Sequence, residues 1–385
     1  MQRLVGEVQN YAWGSTSCFA GLRGDVPTAQ PEAEIWYGAH PKAPSTFLDD
    51  TTLLDAITAN PEELLGSEVV EVHGGELPFL VKLLAADSPL SIQAHPTAEQ
   101  ALAGCRDEDA AGIDRAAPHR CFRDGNPKPE LIYAVSPFEA LVGFRSIAGT
   151  SRFLADIGFD GFSDLLANGP KAAVEALLDP QRSGGSTRIV SELISRFVGA
   201  CSRYSGADWS HEAQLMVRLN NAYPNDPGIG VAALLNYLVL EPGEALFLDA
   251  GHLHAYVSGL AVEVMANSDN VLRGGLTPKH IDVPTLLDIV TGAELIPELA
   301  PRSADGTFLT PASQFALRAH IDPVETEIIG PQIVLAVKGS VVVASDETDT
   351  DPIELAPTEA VWINAGERAV LNGTGLCFST TISTG

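Results

Sequence analysis

A mainly β fold interrupted by a block of helices is what this 385-residue chain predicts, and three observations carry it. Short apolar runs bounded by turn residues fill the first third. From about Ser146 to Tyr223 the apolar residues instead recur at three- and four-residue spacing, the period of a helix with one buried face. After the turn-forming cluster Pro224-Asn225-Asp226-Pro227-Gly228, strand-like sequence returns and continues to the C-terminus, apart from a short helix after Pro284. The length exceeds what one hydrophobic core sustains. The expected units are therefore 1–145 plus 224–300, a helical unit 146–223, and a C-terminal unit 301–385.

In order along the chain, 77–84 and 131–135 read as short strands. Pro96 opens a helix in which Thr97 and Gln100 have the spacing of a capping box. Within the helical block, 173–178 and 189–198 place apolar residues on one face. An internal repeat follows: 240–251 (LEPGEALFLDAG) aligns with 355–366 (LAPTEAVWINAG), each a turn, a buried strand and a turn. The first copy resembles the second sequence motif of cupins, small β-barrels of jelly-roll type. Gly243, Gly251 and His254 fall in register with it, and Asp249 stands at its Pro position. The matching His position of the second copy is Ala369. The resemblance thus implies two cupin-type jelly-roll barrels, the C-terminal one without metal ligands.

Charge narrows the function classes. Lys plus Arg number 23 and Asp plus Glu 50, a formal net charge of −27. Such a field repels nucleic acid and anionic membranes, so neither is expected as a partner. It also repels phosphorylated metabolites, so a phosphate site must carry its own Arg or Lys. No apolar run approaches the ~20 residues of a membrane span, and the first residues lack the apolar core of a signal peptide. Five scattered Cys residues read as reduced thiols of a cytoplasmic protein.

Three separated places supply residues that suit one metal ion: Gln93 with His95, then Glu130, then His254. Gln93 and His95 lie two apart, so on an extended segment they face the same way. Pro127 and Pro129 hold the approach to Glu130 extended. Of His252 and His254, only His254 fits the cupin spacing; His252 reads as a neighbour of the site. The polar run 263–279 follows, with Arg273 suited by its planar fork to grip two phosphate oxygens. A surface ion pair is the plainer use for that arginine in so acidic a chain.

Taken together, these blocks resemble type I mannose-6-phosphate isomerase (phosphomannose isomerase), a family of zinc enzymes with cupin-type barrels. The resemblance rests on 9–15 (QNYAWGS), 34–41 (EIWYGAHP), 89–96 (PLSIQAHP), 128–130 (KPE), 254–256 (HAY) and the 263–279 run, all in one order. It implies one Zn2+ per chain held by Gln93, His95, Glu130 and His254, a catalytic Arg273, and Lys128 and Asp269 in catalysis or substrate handling. It further implies a substrate-binding set of Ser91, Lys128, Glu263, Arg273 and Lys279. The reaction implied interconverts mannose 6-phosphate and fructose 6-phosphate by proton transfer through an enediol. The general base stays open among Lys128, Asp269, Glu263 and a zinc-bound water. The chain departs from the commoner pattern at Gly251-His252-Leu253, where Pro often precedes the His, which leaves the role of His252 open. The expected partner is a small sugar phosphate, and the expected assembly a monomer or small homo-oligomer. A cupin metal-dependent oxygenase and a non-catalytic sugar-binding cupin are the alternatives.

Overall fold

Two antiparallel sheets, of ten and seven strands, organise the computed structural model, which describes residues 1–346 and 351–383. The fold is mainly β with helices added. The ten-stranded sheet turns on one strand, His254–Ala266. Its C-terminal half pairs with Phe79–Ala86 on one side and Glu130–Ala134 on the other. Its N-terminal end pairs with Ile92–Ala94 and Phe138–Phe144. A register shift between Tyr256 and Ser258 marks the change of partners. Gly259 follows at φ 121°, where a Cβ would stand 2.6 Å from the Pro137 carbonyl oxygen. Bulge and glycine together bend the strand so that it serves two faces of a curled sheet.

The expected helical block is present: Ile147–Asp156, Ser163–Leu166, Pro170–Leu178, Thr187–Arg203 and Ser210–Ala222. Ser146 caps the first by accepting from the Gly149 N–H at 3.0 Å. In Thr187–Arg203 the buried residues are Val190, Ile194, Phe197, Ala200 and Cys201, one stripe at helical spacing. The cluster 224–228 does not return the chain directly to strand. A further helix, Gly228–Ala233, intervenes. All six of its residues are buried, so it carries no polar face to betray its period. Four short helices of the first third, Cys18–Arg23, Leu53–Ala59, Pro61–Leu65 and Ser67–His73, also escape a periodicity reading. None exceeds two turns. The capping box at Thr97 and Gln100 is formed, with both reciprocal bonds.

The repeat is a repeat of backbone. Ala245–Leu248 and Ala360–Ile363 are the two strands. Gly251 and Gly366 turn after them at φ 77° and 76°. Ahead of them Gly243 and Thr358 adopt φ 101° and 73°. In the second copy Ala369 is buried among Val334, Leu371 and Cys377. The chain's first strand, Gln2–Leu4, pairs with Ala360–Ile363, so it belongs to the seven-stranded sheet and crosses the boundary expected between 1–145 and 301–385. The Met1 ammonium, 2.8 Å from Glu367, fastens it there. Both sheets share one apolar cluster that includes Leu4, Tyr37, Phe79, Val262, Trp362 and Phe378. No helix of the described residues is long and apolar enough to cross a membrane.

Candidate active site

His95, Glu130 and His254 come together at strand ends. His95 follows Ile92–Ala94, Glu130 opens Glu130–Ala134, and His254 opens His254–Ala266. All three are at most 2% exposed, and their ligand-type atoms lie within 4.8 Å of one another. His95 Nε2 is 3.2 Å from Glu130 Oε1, and His254 Nε2 is 3.4 Å from Glu130 Oε2. On the far side of each ring, Nδ1 meets a main-chain carbonyl: Asn270 at 2.7 Å from His95, His252 at 3.0 Å from His254. A carbonyl only accepts, so both Nδ1 atoms carry a proton, and in the neutral ring it is Nε2 that presents the lone pair. His254 Nε2 is buried and, among the described residues, has no hydrogen-bond partner.

Two imidazole lone pairs and a carboxylate facing each other out of water are costly without a cation. Lys128 supplies part of that charge, 2.8 Å from Glu130 Oε1 and 3.5 Å from His95 Nε2. Burial, reinforced by Lys128, lowers His95 to about 4. Burial alone would raise Glu130, but Lys128 and His95 overcome it and hold the carboxyl well below its usual range. His95 and Glu130 are thus in the deprotonated forms that metal binding needs. Gln93 is the cross-strand partner of His254 on one side and of Arg273 on the other. Residues directly opposite in a sheet share a face, which puts Gln93 in one row with both.

A second buried set supports the first. The Tyr256 hydroxyl donates to Glu263 at 2.8 Å and lies 3.3 Å from Glu130 Oε2. Lys82 pairs with Glu263 at 3.1 Å and approaches Glu34 at 3.7 Å, beneath the Trp36 ring. Burial raises the Glu263 carboxyl despite Lys82, whereas Glu34 and Glu263 hold Lys82 above its ordinary value against burial. Trp36, Lys82 and Glu263 are successive cross-strand partners. The sequence reading missed Lys82 and Glu34. The available signal was Lys82 itself, a lone charge inside the apolar run 80–84, which must be paired if that run is buried.

Glu130, Lys128 and the second set line a cavity of about 610 Å³ together with Gln93, Asp269, Arg273, Ser91 and Lys279, whereas His95 and His254 lie behind that lining. Arg273 is half-buried and, among the described residues, has no carboxylate in ion-pair range; burial and neighbouring Arg123 lower its proton affinity. Asp269 lies at the rim, 2.7 Å from Lys42 and 3.6 Å from His40. His252 does not line the cavity; its contribution is the carbonyl that fixes His254.

Buried ligand-type side chains under a pocket with cations at its mouth make the layout of a metalloenzyme for a small anion. The chain belongs to the mannose-6-phosphate isomerase family. The family described as phosphomannose isomerase type I, catalytic domain, matches residues 1–147. Mannose-6-phosphate isomerase of Salmonella typhimurium is 37% identical, with 97% of this chain and 98% of that protein aligned. The human mannose-6-phosphate isomerase is 34% identical over 94% of this chain and 93% of its own. A crystal structure of mannose 6-phosphate isomerase bound with zinc and yttrium superposes at TM-score 0.88 with 35% identity, covering 100% of this chain and 99% of that one.

Proposed function

We propose that the chain is a zinc-dependent aldose–ketose isomerase that interconverts mannose 6-phosphate and fructose 6-phosphate through an enediol. One observation carries the reading. Two imidazoles with Nδ1 locked to carbonyls turn their Nε2 atoms onto a buried carboxylate, and among the described residues the Nε2 of His254 has no hydrogen-bond partner. That donor set, with Gln93 in the adjoining row, fits one zinc per chain held by Gln93, His95, Glu130 and His254. When bound, zinc would supply Lewis-acid polarisation of the substrate oxygens and stabilise negative charge on the C1 and C2 oxygens.

The protein's own groups do the rest. Lys128 sets a second cation against the same carboxylate and imidazole, where it stabilises charge that develops on the substrate oxygens. Arg273, beside Gln93 in register and free of carboxylates, faces the anion. Ser91 and Lys279 line the cavity toward its mouth and bind substrate hydroxyl and phosphate. Lys128 and Glu263 point inward and are the candidates for carrying the proton between C2 and C1. Asp269, engaged by Lys42 and His40, is better placed for ring opening and for holding the sugar.

Both sheets are read as cupin-type jelly rolls, with ligands in the first only. The matched turn–strand–turn segments and the buried Ala369 support this. So do the units 1–145 plus 224–300, 146–223 and 301–385, with Gln2–Leu4 lent to the last. Five cysteines, all free, accord with a reducing cytoplasm. A cupin oxygenase and a sugar-binding cupin fit less well, because near-complete alignment runs to isomerases. The test is a coupled assay of mannose 6-phosphate conversion. Chelation abolishes turnover and zinc restores it, while circular dichroism holds steady. Full turnover by protein shown to be metal-free would sink the reading.

A further inference from the structure

Seven cationic side chains line the cavity: Lys42, Lys82, Arg120, Arg123, Lys128, Arg273 and Lys279. Four are matched to carboxylates, Lys42 to Asp269, Lys82 to Glu263, Arg120 to Asp109 and Lys128 to Glu130. Among the described residues, Arg123, Arg273 and Lys279 have no carboxylate in ion-pair range. In a chain of net charge −27, where acidic partners abound, three unpaired cations around one opening mark a place kept for an anion. They also feel one another: after burial, Arg123 lowers Arg273, and Arg273 with Arg123 lowers Lys279.

Arg123 is mounted, not loose. Its guanidinium donates to the carbonyls of Arg115 at 3.1 Å and Ala117 at 3.4 Å, and its main-chain N–H donates to Asn270 Oδ1 at 2.7 Å. A guanidinium has five N–H donors, so beyond these two bonds three remain for a ligand in the cavity that Arg123 lines. Asn270 is fully buried, and its amide clamps the same loop through the carbonyls of Asp124 at 2.8 Å and Asn126 at 3.0 Å. The carbonyl of Asn270 is the acceptor that orients His95. One residue thus ties the arginine's loop, through its side chain, to an imidazole of the metal site, through its main-chain carbonyl.

We propose that Arg123 is a phosphate-binding residue that closes a three-cation grip with Arg273 and Lys279, with Asn270 setting its distance from the metal centre. The inference rests on the reading above that Arg273 and Lys279 face the substrate's phosphate. The test uses zinc-loaded full-length enzyme, with inorganic phosphate as the probe and competitive inhibitor. In Arg123→Ala, the inhibition constant for phosphate and KM for mannose 6-phosphate should both rise roughly tenfold, the scale of one charge-assisted hydrogen bond. Turnover should stay within about threefold, and zinc content should not change. Arg123→Lys, which keeps the charge and loses the fork, should recover part of both constants. Wild-type KM and wild-type phosphate inhibition in Arg123→Ala overturn the inference, as does a loss confined to kcat. If Arg123→Ala is unaffected while Arg273→Ala escapes phosphate inhibition, only the role of Arg123 is lost. If phosphate inhibits Arg273→Ala and Arg123→Ala as it does wild type, the reading of the whole mouth falls with it.

Discussion

The two copies of the repeat share a backbone and differ in what it holds. Residues 240–254 and 355–369 run through the same strand and the same left-handed turn, with Gly251 and Gly366 one degree apart in φ. At the end of the first copy His254 points an unpartnered Nε2 at a buried carboxylate; at the end of the second, Ala369 packs into aliphatic side chains. The second copy even tolerates Thr358 at positive φ where the first has Gly243, a strain that the Tyr37 hydrogen bond to the Thr358 carbonyl offsets in part. The frame is therefore set by turn chemistry and strand burial. The site is an addition that this frame carries at a cost, because three acceptors converge out of water.

Making the first copy like the second is the most severe way to break this comparison. His254→Ala should empty the metal site and lower turnover on the order of 10³-fold, as loss of several kcal/mol of charge stabilisation implies. The thermal transition of the chelated variant should stay close to that of chelated wild type. Elemental analysis and calorimetry read both; a variant that unfolds instead would make the histidine part of the frame. Arg273→Ala leaves the ligands intact and should cost roughly 10²-fold in turnover, the scale of one preorganised electrostatic group. Wild-type kinetics there would remove Arg273 from the reaction. The converse change sharpens the contrast: Ala369→His should destabilise the fold by about 1–3 kcal/mol through overpacking and an unpaired polar atom. It should add no zinc, because among the described residues the only group of ligand-type side chains close enough to hold an ion is His95, Glu130 and His254. A second equivalent of tightly bound zinc would contradict that.

Legibility followed the same division. The helical block, the capping box at Thr97 and the repeat were readable because each rests on local spacing or local turn chemistry. Gly228–Ala233, buried all round, and the short helices before residue 75 were not, since their order comes from tertiary packing. At the site, His95, Glu130 and His254 could be picked out as ligand types in separate segments. Their convergence depends on strand register, which single-sequence spacing does not encode. Lys82, Glu34 and Arg123 went unseen for that reason. Each acts through partners far along the chain: Glu263 for Lys82, Asn270 for Arg123. The pairing of Gln2–Leu4 with Ala360–Ile363 is the extreme case, joining the two ends of the sequence.

The finest test of the register separates the two neighbouring histidines. His252 and His254 alternate in sequence so that both could face one way on an ideal strand, yet the strand begins only at His254. His252 lies in the turn before it, half-buried, and lends its carbonyl, not its ring, to His254 Nδ1 at 3.0 Å. A main-chain acceptor survives substitution of the side chain. His252→Ala should therefore keep stoichiometric zinc and lose less than roughly tenfold in turnover, under about 1.4 kcal/mol. Residues that orient a metal-binding imidazole through their side chains typically cost 10–100-fold in metal affinity when removed. A loss of zinc affinity in that range for His252→Ala would mean that its ring, and not only its carbonyl, holds His254. An empty site in His252→Ala with metal retained in His254→Ala would go further, shifting the ligand by two residues and undoing the match between the first copy and Ala369 in the second.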